Sequence, residues 1–160
     1  MLVTPLRRIK MKTLLVLLAA ALVIPASGGA GPARTESAEM ELQLALKVRN
    51  TRYGPILFDA KDRVLYGFTR DKRGGKSTCY GACARAWPVY FSKGRVRAMR
   101  GVKQSLIGTV RRRNGRLQVT YNGWPLYYYA HEGPREVKCQ NVNEFGGLWL
   151  VVKPNGRLVR

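Results

Sequence analysis

The chain has 160 residues, enough for one ordinary domain and too few for two. Its 29 Lys and Arg against 9 Asp and Glu give a formal charge of +20. That charge implies polyanionic neighbours, such as anionic lipid headgroups, phosphate-bearing wall polymers or acidic polysaccharide, or else a solvated surface with no specific partner.

The N-terminus predicts export. Arg7, Arg8, Lys10 and Lys12 form a positive region, Thr13–Ile24 is apolar, and Pro25–Ala30 is small and helix-breaking, the layout of a cleaved signal peptide. The apolar run is far shorter than the roughly 20 residues of a bilayer-spanning helix, so no transmembrane span is expected after cleavage. Met11 is an alternative start. No cysteine follows the run to carry a lipid. The expected organisation is a signal peptide over 1–30, a flexible leader over 31–41 and a secreted domain over 42–160. Removing residues 1–30 takes away four cations and no carboxylate, leaving 25 Lys and Arg against 9 Asp and Glu, a charge of +16.

From Leu42 the residues Leu42, Leu44, Leu46 and Val48 alternate with Gln43, Ala45, Lys47 and Arg49, which predicts a half-buried strand, with a short amphipathic helix as the other possibility. Pro55–Asp59 and Val64–Thr69 flank a polar turn and predict a hairpin. Cys79–Trp87 has the composition of one or two helical turns stopped by Pro88. Residues 93–116 hold nine Lys or Arg and no acid. Within them Thr109–Arg113 and Arg116–Tyr121 flank Asn114-Gly115, a strong hairpin signal in which both turn residues are expected at positive φ. The basic surface is therefore assigned to Arg95, Arg97, Arg100, Lys103, Arg111, Arg112, Arg113 and Arg116. Leu126–Tyr129, Leu148–Val152 and Arg157–Val159 predict further strands.

The chain repeats itself. Leu65-Tyr66-Gly67-Phe68 followed by Asp71 matches Leu126-Tyr127-Tyr128-Tyr129 followed by Glu132, and Trp87 and Trp149 follow their tyrosines by 21 and 22 positions. Aromatics at i and i+2 lie on one face of a strand. The expected fold is all-β or β-rich: two degenerate β repeats, at about 54–90 and 105–156, packed as one small domain with a short helix near residues 80–87. Neither repeat is large enough to bury a core alone.

Lys76–Pro88, Gln118–Tyr127 and Val142–Trp149 resemble the blocks of a bacterial secreted or lipoprotein repeat family marked by Tyr-x-(Phe/Trp/Tyr)-x-x-Asp, whose function is uncharacterised. The resemblance spans residues 54–156 and implies an exported envelope protein, with no established reaction. Three features depart from the family pattern: Glu132 in place of the second aspartate, the presence of Cys139, and the absence of a lipid-attachment cysteine.

The repeated motif residues Tyr66, Phe68, Asp71, Trp87, Tyr127, Tyr129, Glu132 and Trp149 form a ligand site if their loops meet. Otherwise they pack, with the carboxylates capping turns or pairing with arginine. Cys79, Cys83 and Cys139 are disulfide candidates outside the cytoplasm, with one left over or paired between chains. A local Cys79–Cys83 bridge and a long bridge to Cys139 both remain open. No metal set is assigned, since the cysteines lack a second close ligand pair. His131 has no nucleophile beside it, and no Gly-x-Ser-x-Gly or complete P-loop occurs, so no catalytic residue or cofactor is assigned. Basic strands interleaved with Tyr and Trp suit single-stranded nucleic acid, but export removes that partner. The reading is an exported, strongly basic module that binds or builds at the cell envelope, on an anionic polymer or lipid surface, either secreted or held in the periplasm or at the cell surface. The alternative is an extracellular enzyme or small-ligand carrier working through the aromatic–carboxylate loops.

Cleavage places the mature N-terminus between Ser27 and Arg34. Intact-mass analysis of the exported protein checks this, and retention of Met1 or Met11 overturns it.

Overall fold

Alternating apolar residues, cut by glycine- and asparagine-bearing turns, divide residues 44–160 of a computed structural model into nine short strands and one short helix. The expected signal peptide, the leader and Leu42 lie outside these described residues. The elements are β1 (Ala45–Thr51), β2 (Gly54–Asp59), β3 (Tyr66–Phe68), α1 (Ala82–Ala86), β4 (Arg97–Ala98), a 3₁₀ turn (Gln104–Leu106), β5 (Ile107–Arg111), β6 (Leu117–Tyr121), β7 (Trp124–Pro125), β8 (Val142–Glu144) and β9 (Gly147–Val151). They form three three-stranded sheets, ordered β2-β1-β4, β3-β9-β8 and β5-β6-β7. The β-rich class and the short helix agree with the sequence pattern, and the helix begins after Gly81, at φ 56°, and ends before Pro88.

Two local expectations are corrected. The hairpin partner of β2 is β1, paired from Leu46 opposite Asp59 to Thr51 opposite Gly54. The expected pairing of residues 55–59 with 64–69 is reduced to a bridge between Phe58 and Val64, and β3 pairs with β9 instead. Thr51-Arg52-Tyr53-Gly54 makes the tight turn that joins β1 to β2, with Gly54 at φ 79° and the Thr51 hydroxyl donating to the Gly54 carbonyl at 3.0 Å. At Asn114-Gly115 only Gly115 has a positive φ. The Gly115 N–H returns to the Arg112 carbonyl at 3.0 Å and the Arg112 N–H bonds the Arg116 carbonyl at 2.9 Å, a type I turn followed by a left-handed residue. The same bonding recurs at Lys153–Arg157, around Gly156.

The strands bury both faces. Ile56, Phe58, Tyr66 and Phe68 point into an aromatic core with Trp87, Tyr127 and Trp149. The intervening Leu57 and Leu65, with Val119, Leu126 and Val152, fill an aliphatic core on the other side. Period-two alternation separates the two sets, which is why these segments read as nearly continuous apolar runs.

The two repeats meet at equivalent residues. Tyr66 and Tyr127 are an antiparallel pair, each N–H donating to the other's carbonyl at 2.9 Å. Matching positions directly opposite each other define a local two-fold relation. Around it Trp87 and Trp149 stack at 3.9 Å and 3°. Tyr66 sits edge-on to Trp87 and Tyr127 edge-on to Trp149, both at 5.2 Å. Phe68 closes the stack on Trp149 at 4.1 Å and Tyr129 closes it on Trp87 at 4.9 Å.

Trp87 and Trp149 are fully buried. Truncating such a ring costs about 3–5 kcal/mol, so Trp149→Ala should destabilise the whole domain by that amount. Denaturant unfolding followed by near- and far-ultraviolet circular dichroism should show one coincident transition, shifted in the variant. Two separated transitions would show that the repeats fold independently.

Candidate functional site

The motif residues converge around the Tyr66–Tyr127 pair, and each repeat completes the other. The Tyr127 hydroxyl donates to Asp71 Oδ2 at 2.6 Å and the Tyr66 hydroxyl donates to Glu132 Oε1 at 2.7 Å. Asp71 Oδ1 also accepts the Thr78 N–H and hydroxyl, each at 2.7 Å. Glu132 Oε1 also accepts the Cys139 N–H at 3.1 Å and the Lys138 N–H. Glu132 Oε2 is buried without a partner.

Burial sets the protonation of this group. It pushes the phenols of Tyr66 and Tyr127 well above their ordinary range, and Glu132 and Asp71 beside them add to the shift. Both tyrosines therefore remain donors. Burial also raises the Asp71 carboxyl, against the opposing hydrogen bonds from Tyr127 and Thr78. Asp71 and Glu132 are 2% and 6% exposed, so the carboxylates that the sequence offers as a ligand site close the core between the two repeats.

A second network runs from this centre to the basic hairpin. The Tyr127 hydroxyl lies 2.6 Å from Ser77 Oγ. Arg112 donates to Ser77 Oγ, to the Cys79 carbonyl and to Gln118 Oε1 at 2.7 Å, with its guanidinium over the Tyr80 ring. Arg112 is 6% exposed, which corrects its assignment to the basic surface. Arg111 ends β5 and Arg113 lies in the following turn, both exposed, while Arg112 between them turns inward. Sequence reasoning missed Ser77 and Gln118. The available signal was a glutamine in the middle of the apolar strand β6.

The remaining basic residues lie outside. Arg95, Arg97, Arg100 and Lys103 flank or lie in β4, and Arg111, Arg113 and Arg116 surround the tip of the β5–β6 hairpin, all exposed. Arg113 lies over Tyr80 and Arg116 over Phe91, at 4.7 and 3.4 Å from the ring centres. No described carboxylate pairs with Arg95, Arg100, Lys103, Arg111, Arg113 or Arg116.

Cys79 and Cys83 form a disulfide across the start of α1, with Cα atoms 5.3 Å apart, and Cys139 is a buried free thiol. Burial and then Glu132 push that thiol up, which keeps it protonated. His131 is exposed, edge-on to Tyr129 at 5.4 Å. No group of three His, Cys, Asp or Glu among the described residues could hold a metal ion.

Two β units locked through reciprocal tyrosine–carboxylate bonds and a shared tryptophan stack define a duplicated β module. The chain belongs to the family described as a secreted repeat of unknown function, which matches residues 47–90 and 108–153. No curated protein and no solved structure matches it. No helix among the described residues is long and apolar enough to cross a membrane.

Two aspartates give opposite pH signatures. Asp62 is held at about 2, first by its hydrogen bond from Lys47 and also by Arg135 and Arg49. Its contribution is present above the ordinary value of 3.8 and is lost as pH falls toward 2. The raised Asp71 works in the other sense: its contribution is present below 3.8 and is lost as pH rises through its higher folded value. Asp71→Asn should remove the loss on the rising side and keep the acid-side loss. Unfolding midpoints measured from pH 2 to 8 for both proteins check this, and parallel profiles would overturn it.

Proposed function

We propose that the domain is an exported, non-catalytic module that adheres to anionic polymer or lipid surfaces of the cell envelope through its exposed basic strands. The observation that carries the reading is the separation of charge. The described chain has six carboxylates: Asp59, Asp71 and Glu132 are buried, and Asp62, Glu136 and Glu144 are each engaged by a side chain of the domain. Asp59 accepts the Tyr128 hydroxyl, Asp62 takes Lys47, Arg49 and Arg135, and Glu136 pairs with Lys138. Asp71 and Glu132 hold the two tyrosines, and Glu144 accepts the Trp87 indole N–H at 2.9 Å. Arg111, Arg113 and Arg116 at the hairpin tip, with Arg95, Arg100 and Lys103, have no described carboxylate partner, and together make a field that attracts polyanions. Burial of Asp71 and Glu132 supports a packing role for the motif over an enzymatic or carrier role. The family's description as secreted supports a position outside the cytoplasm, with residues 1–30 as the export signal.

Each basic residue at an anionic lipid surface contributes about 1 kcal/mol. The triple variant Arg111→Gln, Arg113→Gln, Arg116→Gln should therefore bind phosphatidylglycerol vesicles and isolated envelope much more weakly, while folding normally. Arg112 is left unchanged because it is part of the buried network. Wild-type binding should also fall as salt shortens the Debye length from about 10 Å at 0.1 M to about 3 Å at 1 M. Cosedimentation measures both effects, and salt-insensitive adhesion would overturn the reading.

A further inference from the structure

Away from the β5–β6 tip, three turns interlock to form a preformed basic cleft. Arg73 reaches across to the β6–β7 turn, its Nε donating to the Asn122 carbonyl at 2.9 Å and its terminal nitrogen to Asn122 Oδ1 at 2.6 Å. The next residue, Gly74, donates its N–H to the Gly123 carbonyl at 2.9 Å. The Lys153–Arg157 turn closes against the same point, anchored by the Tyr121 hydroxyl on the Pro154 carbonyl at 2.7 Å. A Cβ on Gly156 would fall 2.2 Å from Asn122 Cβ, and one on Gly123 would fall 2.7 Å from the Gly74 nitrogen. Both glycines also have φ 79°, so the close approach of these backbones requires them.

Above these turns lies an open cleft of about 550 Å³, lined by residues that include Arg73, Asn122, Trp124, Lys153, Asn155 and Arg157. No carboxylate side chain lines it, and no described carboxylate pairs with Arg73, Lys153 or Arg157. The volume lies within the range of about 300–1,000 Å³ typical of small-ligand sites, and is larger than a bare phosphate requires. Four cations line it, Arg73, Lys153, Arg157 and Arg160. Arg73 commits its Nε and one terminal nitrogen to Asn122, and the remaining arginine donors suit a phosphoryl group, which arginine binds bidentately. Trp124 adds a half-buried aromatic ring beside them. Asn155 accepts the Arg157 N–H through Oδ1 at 3.0 Å, which leaves its amide NH₂ for a hydroxyl.

We propose that this cleft is a sugar-phosphate site, with the phosphoryl group held by Arg73, Lys153 and Arg157, the sugar ring against Trp124, and a ring hydroxyl on Asn155. The inference deepens the adhesion reading by naming the chemical unit recognised, a phosphate carried on a sugar ring. It rests on that reading only for the polymer as its source.

The probe is glucose 1-phosphate, titrated into the mature chain and followed by amide chemical shifts. The expected shifts fall at residues 73–74, 122–124 and 153–157, with affinity roughly tenfold tighter than inorganic phosphate, a difference the binding curves resolve. Trp124→Ala should abolish that preference and keep phosphate binding, while Trp124→Phe should keep both. The double variant Lys153→Gln, Arg157→Gln should lose both. Equal affinity for inorganic phosphate, or equal affinity for glucuronate, would overturn the proposal, as would shifts centred on the 111–116 tip. A purified sugar-phosphate wall polymer should displace the probe. Displacement by phosphatidylglycerol vesicles as effective as the polymer's would overturn the sugar assignment, and stronger displacement by a single-stranded oligonucleotide would do the same. The Arg111, Arg113, Arg116 triple variant should bind the probe normally, so failure of adhesion and failure of the cleft are read separately.

Discussion

The fold depends on one reciprocal contact, the main-chain pairing of Tyr66 with Tyr127. Once these equivalent residues are opposed, their side chains leave on the same side of the pair and meet the two tryptophans edge-on. The tryptophans then have only each other's faces to cover, and Phe68 and Tyr129 cover the remaining outer faces. A single repeat has half of this stack and no cover for it. The duplication is therefore a condition of stability, because a segment of this size buries too little apolar surface alone.

The same contact decides where the negative charge goes. A buried tyrosine hydroxyl requires an acceptor, and each repeat's tyrosine finds it in the other repeat's carboxylate. Tyr128 makes a third such pair with Asp59, and burial pushes its phenol well up as well. Carboxylates recruited to the interior cannot neutralise the surface. The external basic character thus follows partly from how the core is satisfied, beyond the simple excess of Lys and Arg.

Periodicity made the strand content legible, and the spacing of Tyr66, Asp71 and Trp87 against Tyr127, Glu132 and Trp149 made the duplication legible, since both depend on local pattern. Strand partners were less legible. β2 has apolar neighbours on both sides in sequence, and only the turn at Arg52-Tyr53 directs it to β1. Asn-Gly occurs at 114–115, 122–123 and 155–156. Both residues take positive φ at 122–123 and only the glycine does so at the other two, because loop length, not the dipeptide, selects the turn. The inward course of Arg112 was not legible, because it lies past the end of β5 and its partners Ser77 and Cys79 lie more than thirty residues away. The cleft had no sequence signature, since Arg73, Trp124 and Arg157 come from three separate turns.

The two repeats differ in ways that follow from what each position faces. In the first, Thr78 satisfies Asp71 with both a backbone and a hydroxyl donor. In the second, Lys138 stands at the matching place and has no hydroxyl to offer, so the next N–H, that of Cys139, supplies the extra bond to Glu132. The longer glutamate side chain spans to Tyr66 and to both N–H groups with one oxygen, which leaves Oε2 unpaired. Cys79 is tied to Cys83, whereas its counterpart Cys139 has Asn143 at the sequence position equivalent to Cys83 and remains a thiol. The tyrosine pairing and the tryptophan stack show none of this divergence, because the two tyrosines pair main chain to main chain and each tryptophan's face is covered by the equivalent tryptophan of the other repeat. A change on one side of the axis is felt at once on the other, so the repeats are free to differ only away from it.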